Sequence, residues 1–199
     1  LTVVNVNDPP TVSAVSQSMN EDSGALSITL SGSDDDGDSL TYSIASSPQN
    51  GTLGSVSGST VTYTPTTHYN GTDTFTYTAS DGTASSDSAV VTITVIPVND
   101  DPTISGTPAT SIDEDTAYIF TPTGADVDND TLTYSITNKP SWATFNTASG
   151  ILSGTPENEH VGSFSGIVIT VTDSQSASAS LASFSIAVNN VNDAPTVQD

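Results

Sequence analysis

The chain has 199 residues, 34% of them apolar, with one Lys/Arg against 23 Asp/Glu, no cysteine and a formal net charge of −22. That balance excludes an electrostatic nucleic-acid partner, argues against adsorption to anionic membranes, and rules out disulfide staples. No apolar run approaches the ~20 residues that cross a bilayer, so no direct membrane insertion is expected.

The chain opens on Val6-Asn7-Asp8-Pro9-Pro10, a phrase that returns as Val98-Asn99-Asp100-Asp101-Pro102 and again as Val191-Asn192-Asp193-Ala194-Pro195. Asn7 and Asn99 are 92 residues apart, Asn99 and Asn192 93, which marks a tandem repeat. The expected division is 1–8 as a linker from a preceding repeat, 9–98 as a first domain, 99–102 as a linker, 103–191 as a second domain and 192–199 as a linker onward.

Period-two patterning predicts seven strands in the first unit. They span Thr11 to Ser16, Leu26 to Ser31, Ser39 to Ser46, Gly51 to Val56, Thr60 to Pro65, Asp73 to Ser80 and Ser88 to Ile96. Gly, Asn, Pro and Ser turns separate them, and nothing carries helical periodicity over ten residues. Seven short strands at this spacing describe an all-β, immunoglobulin-like Greek-key sandwich, here two in tandem. The second unit repeats Leu40-Thr41-Tyr42-Ser43-Ile44 as Leu132-Thr133-Tyr134-Ser135-Ile136, but puts Lys139 to Asn146 and Gly150 to Pro156 where the first has a hairpin around Asn50-Gly51. Trp142 and Phe145 there are expected to fill the core, an exposed sugar platform being the alternative.

The acids are clustered. In unit one they are Asp8, Glu21-Asp22, Asp34-Asp35-Asp36-Gly37-Asp38 and Asp81; in unit two Asp100-Asp101, Asp113-Glu114-Asp115, Asp126/Asp128/Asp130, Glu157/Glu159, Asp173 and Asp193. Only Asp73, Asp87 and Asp199 lie outside these groups. A salt-adapted acidic coat would spread along strand faces, and turn chemistry alone explains one or two aspartates per loop. Two carboxylates ~4 Å apart repel by about 4 kcal/mol at an effective dielectric near 20, so cation sites are expected at the clusters.

Glutamate after the first strand, Asp-x-Asp before Leu-Thr-Tyr-Ser-Ile, aspartate after the sixth strand and a Val-Asn-Asp-x-Pro linker together resemble the calcium apparatus of cadherin repeats. Unit one, with Tyr69-Asn70-Gly71-Thr72-Asp73-Thr74-Phe75-Thr76-Tyr77, resembles the tandem cadherin-like repeats of large bacterial surface adhesins. Unit two, with Trp142 to Phe145 before Gly-Ile-Leu-Ser-Gly-Thr-Pro, resembles the dystroglycan-type cadherin-like domain. The pattern departs where Pro97 and Thr66 replace expected acidic positions.

Strand counting gives the same arrangement. Loops after strands two, four and six share the entry end of a sandwich, and those after one, three and five the exit end. Asp126, Asp128, Asp130 and Asp173 are then expected to face the Asn99-Asp100-Asp101 linker, with Glu21 facing it from unit one. Asn7, Asp8, Asp34, Asp36, Asp38 and Asp81 would form half a joint with a preceding domain. Glu114, Glu157, Glu159, Asn192 and Asp193 would form half a joint with a following one. Calcium, which takes six to eight hard oxygens, is the expected ion. There is no thiolate, and His68 and His160 are read as lone loop residues, which disfavours softer metals.

The expected function is a calcium-stiffened extender of an extracellular or surface-anchored bacterial adhesin, monomeric, with neighbouring repeats of its own chain as partners. The alternative is a calcium-dependent module binding polysaccharide or a surface protein through Trp142, Tyr69, Tyr118 or Phe120. No catalytic residue is expected: nucleophile elbow, P-loop and zinc motif are all missing, and the paired carboxylates lie in loops and not in an apolar cleft.

Overall fold

A computed structural model describes residues 6–194; the linker positions Asn5 and Pro195, and the terminal Asp199, fall outside them. The chain divides into two compact units, Leu1–Val98 and Asn99–Asp199.

In unit 1 the elements are β1 (Thr11–Val12), β2 (Val15–Asn20), β3 (Leu26–Thr29), β4 (Gly32–Ser33), β5 (Thr41–Ser46), β6 (Gly51–Leu53), β7 (Thr60–Pro65), β8 (Gly71–Ser80) and β9 (Ala89–Ile96). One sheet runs β2-β9-β8-β5, the facing sheet β3-β7-β6, and β1 pairs β4. The first predicted strand is therefore two. It breaks at Ser13-Ala14, leaves β4, and resumes as β2 in parallel with β9. The Tyr77 hydroxyl fastens that break, donating to Ser13 O at 2.6 Å while standing 2.7 Å from Ser31 O and 3.1 Å from Ser31 N. Inward residues Ile28, Val61, Tyr63, Phe75, Tyr77, Val91 and Ile93 form a core at most 1% exposed.

Unit 2 repeats this plan with β10 (Thr103–Ser105), β11 (Ser111–Asp113), β12 (Tyr118–Phe120), β13 (Thr123–Ala125), β14 (Thr133–Thr137), β15 (Ala143–Phe145), β16 (Leu152–Gly154), β17 (Gly162–Thr172), β18 (Ser178–Ser180) and β19 (Phe184–Asn189). A 3-10 turn covers Asn158–His160. One sheet runs β11-β19-β17-β14 with β18 also on β17, the facing sheet β12-β16-β15, and β10 pairs β13.

Trp142 and Phe145 pack against the unit 2 core, Trp142 meeting Tyr118 and Phe164 edge-on at 5.7 and 6.1 Å between centroids. The aromatic platform does not form there. Along β12 the alternation turns Tyr118 and Phe120 inward, at 3% and 7% exposed, and leaves Ile119 outside at 71%. Tyr69 is half-buried and its hydroxyl donates to Thr72 O at 2.9 Å.

One buried acid escaped the repeat pattern. Asp73, 3% exposed on β8, accepts from the backbone N–H of Gln49, Asn50 and Thr74 and from the Tyr63 hydroxyl, all at 2.9–3.1 Å. It ties the turn before β6 to the core. Its counterpart 92 residues on is Ser165, which is why the repeat did not flag it.

Candidate metal centre

Parallel pairing of the split first strand sets the exit end of each unit. In unit 1 the register Asn20↔Ile96 puts the end of β2 beside the end of β9, and Glu21 N continues the ladder onto Ile96 O at 2.9 Å. In unit 2 Asp113↔Asn189 does the same, and Glu114 N donates to Asn189 O at 3.0 Å. Both glutamates are 2% exposed. Glu21 Oε1 accepts Val98 N at 2.8 Å; Glu114 Oε1 accepts Val191 N at 2.6 Å and the Asn190 side chain at 2.8 Å. In each, Oε2 is buried with no hydrogen-bond partner. A desolvated, unpaired carboxylate oxygen is costly, and a cation or a bound water is the kind of partner that would remove that cost.

The entry end is built by the other ladder. Pairing Thr41↔Ser80 brings the loop before β5 and the loop after β8 to one end, and Thr133↔Thr172 repeats this in unit 2. There Asn7 donates to Asp81 at 2.9 Å, and Asp8 N to Asp36 at 2.8 Å. In unit 2 Asn99 donates to Asp173 at 2.8 Å, and Asp100 N to Asp128 at 2.8 Å.

The aspartate loops are turned by their first member. Asp34 Oδ1 accepts from Asp36 N and Asp38 N at 3.0 and 3.1 Å; Asp126 Oδ1 accepts from Asp128 N and Asp130 N at 2.9 and 3.3 Å. Each loop needs one left-handed residue, supplied by Gly37 (φ +80) and, 92 positions later, Asn129 (φ +63). Glycine and asparagine are the residues that tolerate this conformation. With Oδ1 engaged, the second oxygens of Asp34 and Asp126 are buried and unpartnered, as is one oxygen of Asp130.

Carboxylate oxygens of Asp34, Asp36 and Asp38 lie within 4.8 Å of one another. Two oxygens at roughly 2.4 Å from one calcium can be no farther apart than about 4.8 Å, and this set meets that limit.

Backbone donors stabilise the ionised forms. N–H of Ala84, the Asn7 amide and N–H of Thr83 hold Asp81 below its ordinary carboxyl range. The Asn99 amide, with N–H of Ala177 and Gln175, does the same for Asp173. These acids are therefore charged at neutral pH. The single lysine does not neutralise them, since Lys139 Nζ donates to the carbonyls of Pro140 and Ala143.

Several predicted residues stand apart or take other roles. Glu157 is the N-cap of the 3-10 turn and exchanges bonds with His160, whose Nδ1 accepts Glu157 N at 3.0 Å. The side chain of Glu159 is 78% exposed, and Asp101 is exposed. Among the described residues Asn192 bonds its neighbour, Asp193 O, at 3.2 Å, while Asp193 accepts the Asn158 amide at 2.7 Å. The histidines are not lone residues: His68 N and Nδ1 contact the Asp22 carboxylate at 3.2 and 3.1 Å. Asn158, Asn189, Asn190 and Gln175, whose amide contacts Asn99 Oδ1, were not among the predicted site residues. Only Asn190 gave a signal, by standing at a linker position.

Comparison with known proteins agrees with this architecture. Residues 7–94 match the family Big_9, "Bacterial Ig domain", and residues 101–189 match He_PIG, "Putative Ig domain". A search of curated proteins finds no match. Among solved structures, human protocadherin-24 EC1-2 is similar at 18% identity and TM-score 0.57, over 95% of this chain and 100% of that one. Human mucin-like protocadherin EC1-2 is similar at 14% and 0.52, over 94% and 97%. An endo-fucoidan hydrolase of glycoside hydrolase family 107 aligns at 26% identity and TM-score 0.36, over 93% of this chain but only 28% of that chain. The present chain thus spans under a third of that enzyme. With both units matched in sequence and the cadherin fold matched in structure, the chain belongs to the bacterial Ig-like domains, as a tandem, cadherin-like pair.

Proposed function

We propose that the chain is a calcium-stiffened extender from an extracellular or surface-anchored bacterial protein that supports adhesion. In this reading each entry cluster and each exit glutamate supplies oxygens to calcium beside a linker. Asn99, Asp100, Asp101, Asp126, Asp128, Asp130 and Asp173 offer oxygens to calcium at the entry end of unit 2, and Glu21 does so at the exit end of unit 1. Asn7, Asp8, Asp34, Asp36, Asp38 and Asp81, and at the far end Glu114, Glu157, Glu159, Asn192 and Asp193, serve neighbouring repeats. The ion supplies charge neutralisation and a fixed direction to a short connector. These residues orient it, and none performs a chemical step.

One observation carries the reading. Two glutamates 93 positions apart are each 2% exposed, each bonded through Oε1 to the backbone of the departing linker, and each left with a buried, unpaired Oε2. A core position filled for packing alone would take an apolar residue. Small-angle scattering with calcium and then with chelator tests the proposal. A longer, stiffer particle in calcium is expected, and an unchanged profile would count against it.

A further inference from the structure

The two units treat one sheet edge differently. In unit 2, β14 ends its sheet, but its Tyr134 N–H donates to Thr147 O at 2.8 Å, so the segment after β15 covers the edge. In unit 1 the matching strand β5 pairs only with β8, and no other segment bonds its backbone among the described residues. Both units carry a hairpin next, β6-β7 and β15-β16, and the difference lies in its loop: Thr147 of the β15-β16 loop bonds back to β14, and no such backbone bond to β5 occurs among the described residues of unit 1. Exposed edges are ordinarily guarded by charge, proline or a bulge. β5 reads Thr-Tyr-Ser-Ile-Ala-Ser, with no charge or proline, and its irregularity lies at Ala45, leaving Tyr42–Ile44 as regular ladder.

What could occupy that edge is limited by charge. A copy of this chain carries −22 and is repelled from most of another copy. Beside β5, however, the outward residues of β8 are Thr72, Thr74, Thr76 and Thr78, while Asp73 points into the core. The strand is also self-complementary. Laid antiparallel on itself about Ser43, it sets Tyr42 opposite Ile44, a favourable aromatic and β-branched pair. The same register sets Asp38 opposite Pro48, so no two carboxylates face each other.

We propose that β5 is a docking edge for a second copy of this chain, joined strand to strand about a two-fold axis through Ser43. The monomer expected from sequence gives way to a weak symmetric pair that forms where copies are held close together. This inference does not depend on calcium.

The chain has no cysteine, so one introduced thiol reports on one position. Ser43→Cys places two thiols opposite each other at the axis, within reach of a disulfide. Thr94→Cys is exposed away from the edge, and Ser135→Cys lies on the covered edge of unit 2. In a glutathione redox buffer with calcium, followed on non-reducing gels, covalent dimer from Ser43→Cys should form on the order of tenfold faster than from either control, through its raised effective concentration. Tyr42 also packs beside Tyr77 at the core, so adding Tyr42→Lys to Ser43→Cys should remove that advantage while thermal unfolding shows the doubly substituted chain still folded. A Ser43→Cys chain that couples no faster than the controls overturns the proposal, as does an advantage that survives Tyr42→Lys.

Discussion

Glu21 accepts the backbone N–H of Val98 at 2.8 Å with one carboxylate oxygen and buries the other without a partner. Glu114 repeats the arrangement with Val191 at 2.6 Å. The shared arrangement ties a carboxylate with one unpaired buried oxygen to the backbone of the residue just ahead of Asn99 in unit 1 and of Asn192 in unit 2.

Glu114→Gln separates charge from shape. The amide keeps the acceptor for Val191 N but removes the buried charge. In chelator the variant should be as stable as the parent or more so, since unpaired buried charge is unfavourable. In calcium it should lose part of the ion's stabilisation, which for one site at a hundredfold excess over Kd is about 2.7 kcal/mol. Thermal unfolding of both chains with and without calcium checks this. A variant with the full calcium shift contradicts the role given to Glu114.

Asn99→Ala removes the largest influence holding the Asp173 carboxyl below its ordinary range. Its pKa should rise toward the usual carboxylate value near 4, read by NMR titration of the side-chain carboxyl. The sign for stability follows from the lowered pKa. Asp173 stabilises the fold above its unfolded value, and the contribution is lost as pH falls through the depressed one. In Asn99→Ala that loss should be smaller and complete at a higher pH. Asn7→Ala should act likewise on Asp81, where the Ala84 N–H is the larger influence, so the change should be smaller.

Asp73→Ala tests a purely structural acid. Four donors lose their acceptor in a buried place, so unit 1 should be destabilised by about 3 kcal/mol or more. Denaturant unfolding should show the loss, and calcium uptake should be unchanged. If calcium uptake falls in the folded variant, Asp73 belongs to the metal site after all.

Tyr63 carries the complementary pH prediction. Burial, and then the Asp73 carboxylate it donates to, push its phenol well above the ordinary value. A raised pKa favours the neutral form in the fold, so this stabilisation is intact below about pH 10 and fades as pH rises beyond it. Tyrosinate absorbance should show at least one phenol ionising only with unfolding; Tyr63→Phe should remove that component.

The repeat itself made most of this legible. Strand existence follows from alternation, and the recurrence of Asn-Asp, Glu and Asp-x-Asp at 92–93 residues located both ends of each unit before any geometry. Three things were not legible. The break at Ser13-Ala14 depends on the Tyr77 hydroxyl 64 residues away, a contact no local pattern encodes. Asp73 lies on an inward strand position where alternation predicts an apolar residue, and only the donors converging on it explain the choice. Tyr118 and Phe120 looked available because a three-residue strand is too short for its phase to be read with confidence from sequence.

Calorimetric calcium titration of the chelator-stripped chain tests the central claim most directly, run beside Glu21→Gln and Asp126→Asn. The account predicts saturable uptake of more than one ion by the parent, with a site lost or weakened in each variant. A parent chain that takes up no calcium at millimolar concentration, or variants that titrate identically to it, would contradict the account.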